Sequence, residues 1–336
     1  MTESRNVLVV GVGSIGERHL RCFQSTGRAR LSLCETNSDL RQRIARQYEI
    51  DQVYADLDAA LEGRPDAAVI ATPAPLHIPM ACQLAKSGIH ILIEKPLSTT
   101  LDGIDSLQQI VEQQRLVVSV AYVYRVFPML AAMHEAIHSE RFGRPVQLIV
   151  VAGQHFPTFR PAYHDIYYKD RATGGGTIQD ALTHLINAGE WLVGPIDRLV
   201  ADAAHQVLSG VEVEDTAHVC ARHGDVLASY SINQHQAPNE VTFTVVCEKG
   251  TARFELHRQR WRWMTAPGQP WEEESQGELP RDVMFIAQAN AFLDAVEGQT
   301  PPVCSLQEGI QTLRCNLAAL TSVEQGSWQT VRMSCN

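Results

Sequence analysis

Lys95 occupies a position in this chain where a side chain could take part in chemistry. It lies between Glu94 and Pro96, directly after an apolar run over residues 91–93. In a partly desolvated cleft, a lysine ammonium group can hydrogen-bond a reacting oxygen and stabilise developing alkoxide charge. The sequence therefore predicts that Lys95 is a catalytic residue.

Asp180 and His184 form a second candidate pair, and they follow three glycines at 174–176. A spacing of four places both on one face of a helix, about one turn apart. An unperturbed histidine titrates near about pH 6.5, so His184 could act as a general base. Asp180 would orient a substrate hydroxyl or Lys95. The alternative is a helix-surface pair that contributes about a few tenths of a kcal/mol.

The turn that follows the apolar residues 7–10 has the glycine spacing of a dinucleotide-binding loop. Its glycines permit a tight turn, a close approach of backbone to a pyrophosphate, and close packing of helix on strand. The amides at the helix N-terminus would face the anion. The predicted cofactor contacts here are Gly11, Gly13, Ser14, Ile15 and Gly16.

Glu35 ends the second apolar run, 19 residues after Gly16. A carboxylate at this place can accept hydrogen bonds from the adenosine ribose hydroxyls. It would repel a 2′-phosphate, which favours NAD over NADP. Arg41 and Arg43 keep NADP open as the less favoured alternative, because either could turn toward that phosphate.

Further cofactor contacts are predicted where the parallel strands end, since ligands of doubly wound folds bind beyond the carboxyl ends of the strands. These contacts are Thr72, Pro73, His77, Glu94 and Lys95. For His77 the alternative is a histidine at a helix start that contacts no ligand.

Residues 1–122 alternate short apolar runs with helical periodicity, which is typical of a parallel sheet covered by helices. The predicted strands are 6–10, 31–34, 67–71, 90–94 and 117–121. We therefore predict an N-terminal Rossmann domain, in which helices cover a doubly wound parallel sheet.

Residues 123–336 have a different pattern, with alternating strands that follow one another without intervening helices. The predicted elements are a helix at 128–140, a strand at 145–153, several strands between 196 and 265, and helices at 281–297 and 305–325. This order predicts a C-terminal α+β domain with a large open mixed or antiparallel sheet.

Several local signals complete this description of the chain. Asn37 or Ser38 is expected to cap the helix that follows. Thr99 with Asp102 resembles a capping box. The polar stretch 267–280 is interpreted as a surface loop.

The composition favours a small-molecule partner. A net charge of −10 and a pI near 5.7 argue against binding to nucleic acid or an anionic membrane. The eight cysteines include no C-x-x-C pair, which favours buried reduced thiols. We find no signal peptide, transmembrane run or metal-ligand cluster, and we expect a soluble cytoplasmic protein.

Four motifs together carry a family resemblance. They are GVGSIG at 11–16, ATP at 71–73 followed by His77, EKP at 94–96, and GGGxxxDxxxH at 174–184. Over nearly its whole length the chain resembles the glucose-fructose oxidoreductase/inositol dehydrogenase (Gfo/Idh/MocA) family. The pattern differs at Ala74 and Val123, where the family often has asparagine.

The resemblance implies an NAD(P)-dependent oxidoreductase that acts on sugars, polyols or related compounds. It assigns the chemistry to Lys95, Asp180 and His184, and it implies a cis peptide bond between Lys95 and Pro96. Hydride would pass between the nicotinamide and a carbinol or carbonyl carbon. Two alternatives remain open: a glycoside hydrolase that retains NAD and oxidises its substrate transiently, and a dinucleotide sensor without catalysis.

Residues 156–173 form an irregular segment rich in aromatic and basic side chains, and such segments are often lids or binding loops. The predicted substrate contacts are Arg160, Tyr163 and His164, together with Tyr122 and Arg125 near the end of the sixth strand. An oligomer contact is the competing interpretation of this segment.

Trp261 and Trp263 alternate with Arg260 and Arg262, so one face of this strand is apolar. Such a face is usually buried against another subunit or a helix. We therefore expect a homodimer or homotetramer formed through the C-terminal sheet.

Overall fold

The computed structural model describes residues 4–331. It divides into two compact units. The first contains the chain up to Val123 and the segment Pro280–Ile310, and the second contains Tyr124–Leu279 and the residues from Gln311 onward. The chain passes from the first unit to the second after Val123, one residue beyond the predicted boundary. The sequence predicts that all residues after 122 belong to the second domain, whereas the structure places Pro280–Ile310 in the first unit.

The first unit is built on a six-stranded parallel sheet with the order β3-β2-β1-β4-β5-β6. Its strands are β1 (Arg5–Val10), β2 (Ala29–Cys34), β3 (Gln52–Tyr54), β4 (Ala67–Ile70), β5 (His90–Ile93) and β6 (Val118–Val120). This is the strand order of a dinucleotide-binding Rossmann fold, and it confirms the predicted class. Only β3 lacked a sequence signal, because its three residues are partly exposed and form no apolar run.

Helices cover both faces of this sheet, as its alternating pattern predicts. They are α1 (Ser14–Ser25), α2 (Ser38–Tyr48), α3 (Leu57–Glu62), α4 (His77–Lys86), α5 (Ile104–Gln114) and α9 (Val283–Val296). Helix α9 belongs here because it packs on α1: Phe292 lies edge-on to Phe23 at 6.2 Å, and Arg28 pairs with Asp294 at 2.8 Å. Nothing in the local sequence of α9 specifies this distant partner.

The second unit is built on a nine-stranded mixed sheet with the order β14-β13-β12-β11-β7-β10-β9-β8-β15. Its strands are β7 (Pro145–Gly153), β8 (Arg198–Ala204), β9 (Thr216–His223), β10 (Val226–Asn233), β11 (Glu240–Cys247), β12 (Gly250–Glu255), β13 (Arg260–Met264), β14 (Glu272–Ser275) and β15 (Gln329–Thr330). Strands β7 and β10 are parallel and their other neighbours are antiparallel. The predicted open mixed sheet is confirmed.

One face of this sheet is covered by helices, whose apolar side chains join it in a single core. The helical elements of the second unit are α6 (Pro128–His138), α7 (Phe156–Phe159), a π-helical turn (Ile178–Leu182), α8 (Thr183–Val193) and most of α10 (Leu306–Gln325). Trp261 lies in the core and Trp263 packs against it. The apolar face of β13 is therefore covered within the unit, so it gives no evidence for a second subunit.

Three local expectations are tested by the structure. Asn37 caps α2, because its side chain accepts from the amides of Asp39 and Leu40. The predicted capping box was wrong, since α5 begins only after Gly103, which adopts a left-handed conformation with φ of 77°. The predicted loop over 267–280 was also wrong in part, because Glu272–Ser275 pairs with β13 as an edge strand.

Within residues 4–331, no helix combines the length and the apolar character needed to cross a lipid bilayer. Cys22, Cys34, Cys247 and Cys315 are buried thiols, whereas Cys220 is exposed on β9. Cys335 lies outside the described residues.

His223 makes folding of the second unit sensitive to acid. Its ring is buried, with Nδ1 2.6 Å from the carbonyl oxygen of Gly194 and Nε2 3.0 Å from the hydroxyl of Tyr230. The neutral ring satisfies both partners by donating at Nδ1 and accepting at Nε2. Burial lowers the pKa of His223 from 6.5 to about 4.

In the unfolded chain His223 is therefore protonated as the pH falls below 6.5, whereas in the folded chain it stays neutral until about pH 4. We expect this difference to cost about 3 kcal/mol of unfolding free energy as the pH falls through that window. Urea denaturation at several pH values should show a smaller loss in His223→Gln. The exposed His218→Gln is the control, and equal slopes in both variants would contradict the prediction.

Candidate active site

The glycine turn after β1 depends on contacts that only glycine allows. A Cβ at Gly16 would lie 1.9 Å from the carbonyl oxygen of Gly11. A Cβ at Gly11 would lie 2.9 Å from the carbonyl oxygen of Ala71, and Gly11 has a φ of +79°. These two glycines therefore pack strand, turn and helix closely together.

Gly13 has a different role, because its φ of −63° suits any residue. A Cβ there would meet nothing within 4 Å. It borders a cavity of about 560 Å³ in the first unit, which is also lined by Ser14 and by Arg18 and Arg43 with their carboxylate partners Asp282 and Glu17. A small residue beside open space and helix amides fits the predicted approach of a pyrophosphate.

Glu35 is held beside this turn by backbone amides. Its Oε2 accepts from the amide of Val12 at 3.1 Å, and its Oε1 accepts from the amide of Asn37 at 2.9 Å. These bonds fix the carboxylate at the carboxyl end of β2, where the ribose contact was predicted. Arg41 donates to the backbone carbonyls of Glu35 and Thr36, and Arg43 lies 3.8 Å from Glu17.

Lys95 is half-buried directly after β5, and the Lys95–Pro96 bond is cis. Its backbone amide donates to Oε2 of the buried Glu94 at 3.0 Å. The other oxygen, Oε1, lies 2.6 Å from Nε2 of His19 on α1, which is also buried. Glu94 therefore anchors the lysine turn to the helix of the glycine loop, and a direct cofactor contact by Glu94 stays a prediction.

His77 is fully buried at the start of α4. Its Nε2 is 2.8 Å from the carbonyl oxygen of Thr72, and its Nδ1 is 3.0 Å from that of Pro96. Burial lowers the pKa of His77, although both carbonyls and Glu94 act against this effect. The ring thus ties the end of β4 to the lysine turn, and the cofactor contact predicted for His77 has no independent support.

Asp180 lies in the π-helical turn, whereas the sequence predicted a regular α-helix at this point. Its side chain is buried, and the hydroxyl of Tyr167 donates to its Oδ1 at 2.6 Å. Single π-helical turns often occur at functional sites. The carboxylate is therefore held in place by a side chain from outside its own helix.

The glycine triplet serves close packing before this turn. A Cβ at Gly175 would lie 2.2 Å from the carbonyl oxygen of Tyr168, and one at Gly176 would lie 2.4 Å from Oε1 of Glu214. Glu214 is buried, accepts from the amide of Ile178 at 3.2 Å, and pairs with Arg171 at 3.0 Å. The close approaches that these glycines allow are therefore to other parts of this chain.

His184 is half-buried near the start of α8. Its ring stacks on Tyr124, with centroids 5.4 Å apart and an angle of 19° between the planes. The residue before it, Thr183, is fully buried and accepts from Asn316 of α10 at 2.8 Å. Stacking and this buried bond together fix the orientation of the imidazole.

Arg125 was predicted to contact substrate, and the structure places it in the interior of the second unit. Its Nε donates to Asn187 at 2.8 Å, and its guanidinium lies over the ring of Trp191 at 5.8 Å. Asn187 donates to Thr312, which donates to Glu190 at 2.9 Å. Burial raises the pKa of Glu190. This polar chain joins α8 to α10.

The other predicted substrate residues lie in different surroundings. Tyr122 is buried in the first unit. Tyr163 is buried in an aromatic cluster with Phe156 and Tyr168, and its hydroxyl donates to the carbonyl of Ser209 at 2.7 Å. His164 is exposed and pairs with Asp165, and Arg160 lies over the ring of Phe156 at 6.0 Å. Substrate contact by any of them stays a prediction.

Two protein-family models match most of this chain. Residues 5–122 match the family model described as an oxidoreductase family with an NAD-binding Rossmann fold, and residues 130–253 match the Gfo/Idh/MocA C-terminal domain. The chain belongs to the Gfo/Idh/MocA oxidoreductase family. The resemblance inferred from the motifs is confirmed, as are the NAD cofactor and the oxidoreductase class.

Relatives in this family are distant but extend over most of the chain. It is 25% identical to levoglucosan dehydrogenase of Pseudarthrobacter phenanthrenivorans, over 76% of this chain and 75% of that protein. It is 23% identical to UDP-N-acetylglucosamine 3-dehydrogenase of Acidithiobacillus ferrooxidans, over 94% of this chain and 96% of that protein. The fold is similar to that of a levoglucosan dehydrogenase in complex with NADH and levoglucosan, with a TM-score of 0.90 and a sequence identity of 21%. This match covers 98% of this chain and 100% of that chain.

Several residues that support this Gfo/Idh/MocA site were missed in the sequence. His19, Tyr167, Glu214 and Asn187 each bond a candidate residue or the turn that carries it. His19 had a local signal, because it lies three residues after the last glycine of the fingerprint. Tyr167 had one as well, because it lies in the aromatic segment 156–173 that was predicted to be a lid or binding loop. Glu214 and Asn187 pair with residues 36 and 62 positions away, which no local pattern reports.

The two kinds of glycine in the cofactor loop can be separated experimentally. In Gly16→Ala the new Cβ would clash with backbone, so we expect a loss of more than about 2 kcal/mol in unfolding free energy and no NADH binding. In Gly13→Ala we expect nearly unchanged stability but at least about tenfold weaker NADH binding. Urea denaturation and fluorescence titration measure both. Unchanged NADH affinity in Gly13→Ala would contradict the proposed place of the pyrophosphate.

Proposed function

We propose that this protein is an NAD-dependent dehydrogenase that acts on a CH–OH group of a sugar, cyclitol or sugar derivative. The observation that carries the proposal is that Lys95, Asp180 and His184 are each held by a specific neighbour, Glu94, Tyr167 and Tyr124 respectively, within a chain of an NAD-binding oxidoreductase family. The named relatives act on an anhydrosugar and on a nucleotide sugar. They support a carbohydrate-like substrate.

His184 serves as the general base in the direction of oxidation. The stacked imidazole accepts the hydroxyl proton as the C–H bond of the same carbon breaks, and it returns that proton during reduction. Asp180 accepts a hydrogen bond from a substrate hydroxyl and so orients the sugar. Because its carboxylate is already fixed, little conformational freedom is lost when the substrate binds.

Lys95 stabilises the oxygen on which negative charge develops when the hydroxyl proton leaves. Its position depends on Glu94 and His19, which fix the backbone of the lysine turn. Bound NAD supplies the hydride acceptor for the carbinol carbon. Gly13, the amides at the start of α1 and Glu35 would hold its pyrophosphate and adenosine ribose.

Single substitutions test the roles proposed for Lys95 and His184. Purified protein with NAD should oxidise a member of a panel that contains levoglucosan, UDP-N-acetylglucosamine, free hexoses and cyclitols. Lys95→Ala and His184→Asn should each lower kcat by at least about 100-fold, because each removes a proton-transfer or charge-stabilising group. Absorbance of the reduced nicotinamide follows the reaction.

Fluorescence titration of His184→Asn with NADH is the control, and we expect an unchanged dissociation constant. The ketone or lactone product should accumulate in a one-to-one ratio with NADH. Turnover without net NADH would indicate transient oxidation instead. Full activity in Lys95→Ala would contradict the assignment of the catalytic groups.

We also propose that the protein forms a homodimer or homotetramer through the outer face of the second sheet. Val151 on β7 and Leu227 on the neighbouring β10 are 50% and 51% exposed on the face away from the core. Two apolar side chains on adjacent strands favour burial against a second copy.

Light scattering should therefore give a multiple of 37.2 kDa. Leu227→Arg should shift this mass toward the monomer, because the interface would have to bury an unpaired charge. Val207→Arg is the matched control, since Val207 is 60% exposed in a loop outside the sheet. A monomeric native chain would exclude the proposal.

A further inference from the structure

Tyr167 makes a short hydrogen bond to the candidate catalytic carboxylate. Its hydroxyl oxygen lies 2.6 Å from Oδ1 of Asp180. This length is within the range of about 2.5–2.7 Å that O–H donors adopt toward an ionised carboxylate. Such charge-assisted bonds are roughly twice as strong as bonds between neutral groups, so the tyrosine can determine the orientation of the carboxylate.

The turn that carries Tyr167 is fixed by its neighbour. Tyr168 is 1% exposed, and its ring centroid lies 5.1 Å from that of Phe156 and 6.1 Å from that of Tyr163. Its hydroxyl donates to the side chain of Gln234. One tyrosine therefore anchors the turn in the aromatic cluster, and the next residue back along the chain reaches Asp180.

The glycine triplet brings this turn against the start of the π-helical turn. Gly175 lies where a Cβ would be 2.2 Å from the carbonyl oxygen of Tyr168. Thr173 donates from its hydroxyl to the carbonyl of Tyr167 at 2.8 Å. The segment between 167 and 176 is thus tied to itself at several points, which limits the positions that the Tyr167 ring can take.

We infer that Tyr167 is a positioning residue that acts on the reaction through Asp180. The inference rests on the proposed function, because it assumes that Asp180 orients the substrate. Tyr167 contributes little to the core, since its side chain is exposed at the surface of the second unit. Its hydroxyl therefore affects the direction of the Asp180 carboxylate more than it affects folding.

The test is Tyr167→Phe, assayed with the panel sugar or cyclitol that the native enzyme oxidises fastest. We expect kcat/KM for that substrate to fall at least about tenfold, as for the loss of a hydrogen bond to a charged group. The KM for NAD and the melting temperature should not change. Tyr230→Phe is the matched control, because it removes a buried hydroxyl elsewhere in the same unit and should lower stability but not activity.

A double-mutant cycle separates action through Asp180 from a direct effect. In an Asp180→Asn background, adding Tyr167→Phe should change kcat/KM by less than about twofold, since residues that act as a unit are not additive. An equal tenfold loss in both backgrounds would overturn the inference. Native activity in Tyr167→Phe with an impaired Asp180→Asn would overturn the inference alone. Native activity in Asp180→Asn would overturn the proposed roles of both residues.

Discussion

Gly16 and Gly175 each allow a close approach of the chain to itself, and the candidate residues of each unit depend on one of these two approaches. A Cβ at Gly16 would lie 1.9 Å from the carbonyl oxygen of Gly11, and a Cβ at Gly175 would lie 2.2 Å from the carbonyl oxygen of Tyr168. The first approach seats the helix that carries His19, and the second seats the turn that carries Tyr167. Both are backbone contacts, which cannot relax by a change of rotamer. These two backbone contacts therefore limit the positions that the candidate catalytic side chains can take.

The sequence was sufficient to predict much of the fold, because the decisive signals were local. Apolar runs and glycine spacing identified five of the six strands of the first sheet, and alternation identified the mixed character of the second. Helix α9 could not be assigned to the first unit, since its buried residues contact α1 across more than 260 positions. A strand as polar as β14 also gives no signal, because its stability comes from pairing with β13.

The candidate site was predictable only where the motif itself contained the reacting side chain. Lys95, Asp180 and His184 are marked by their motifs, and the groups that hold them are not. Arg125 illustrates this, because the sequence did not indicate that Asn187 would be its partner, and its contact with substrate stays a prediction. A buried charge needs such partners, and they come from whichever element packs against it. Sequence position alone cannot distinguish a ligand-binding arginine from one that stabilises a helix pair.

Each group assigned to the reaction has a buried polar residue directly beside it in the chain. Glu94 precedes Lys95, Gln179 precedes Asp180, and Thr183 precedes His184. Removing the partner of a buried polar group costs about 1–3 kcal/mol, so each neighbour resists displacement of the backbone that it shares with the reacting residue. Lys95 and His184 can then stay half-buried and accessible while their backbone behaves as part of the core. The buried neighbour keeps the backbone rigid, and the adjacent residue stays available for chemistry.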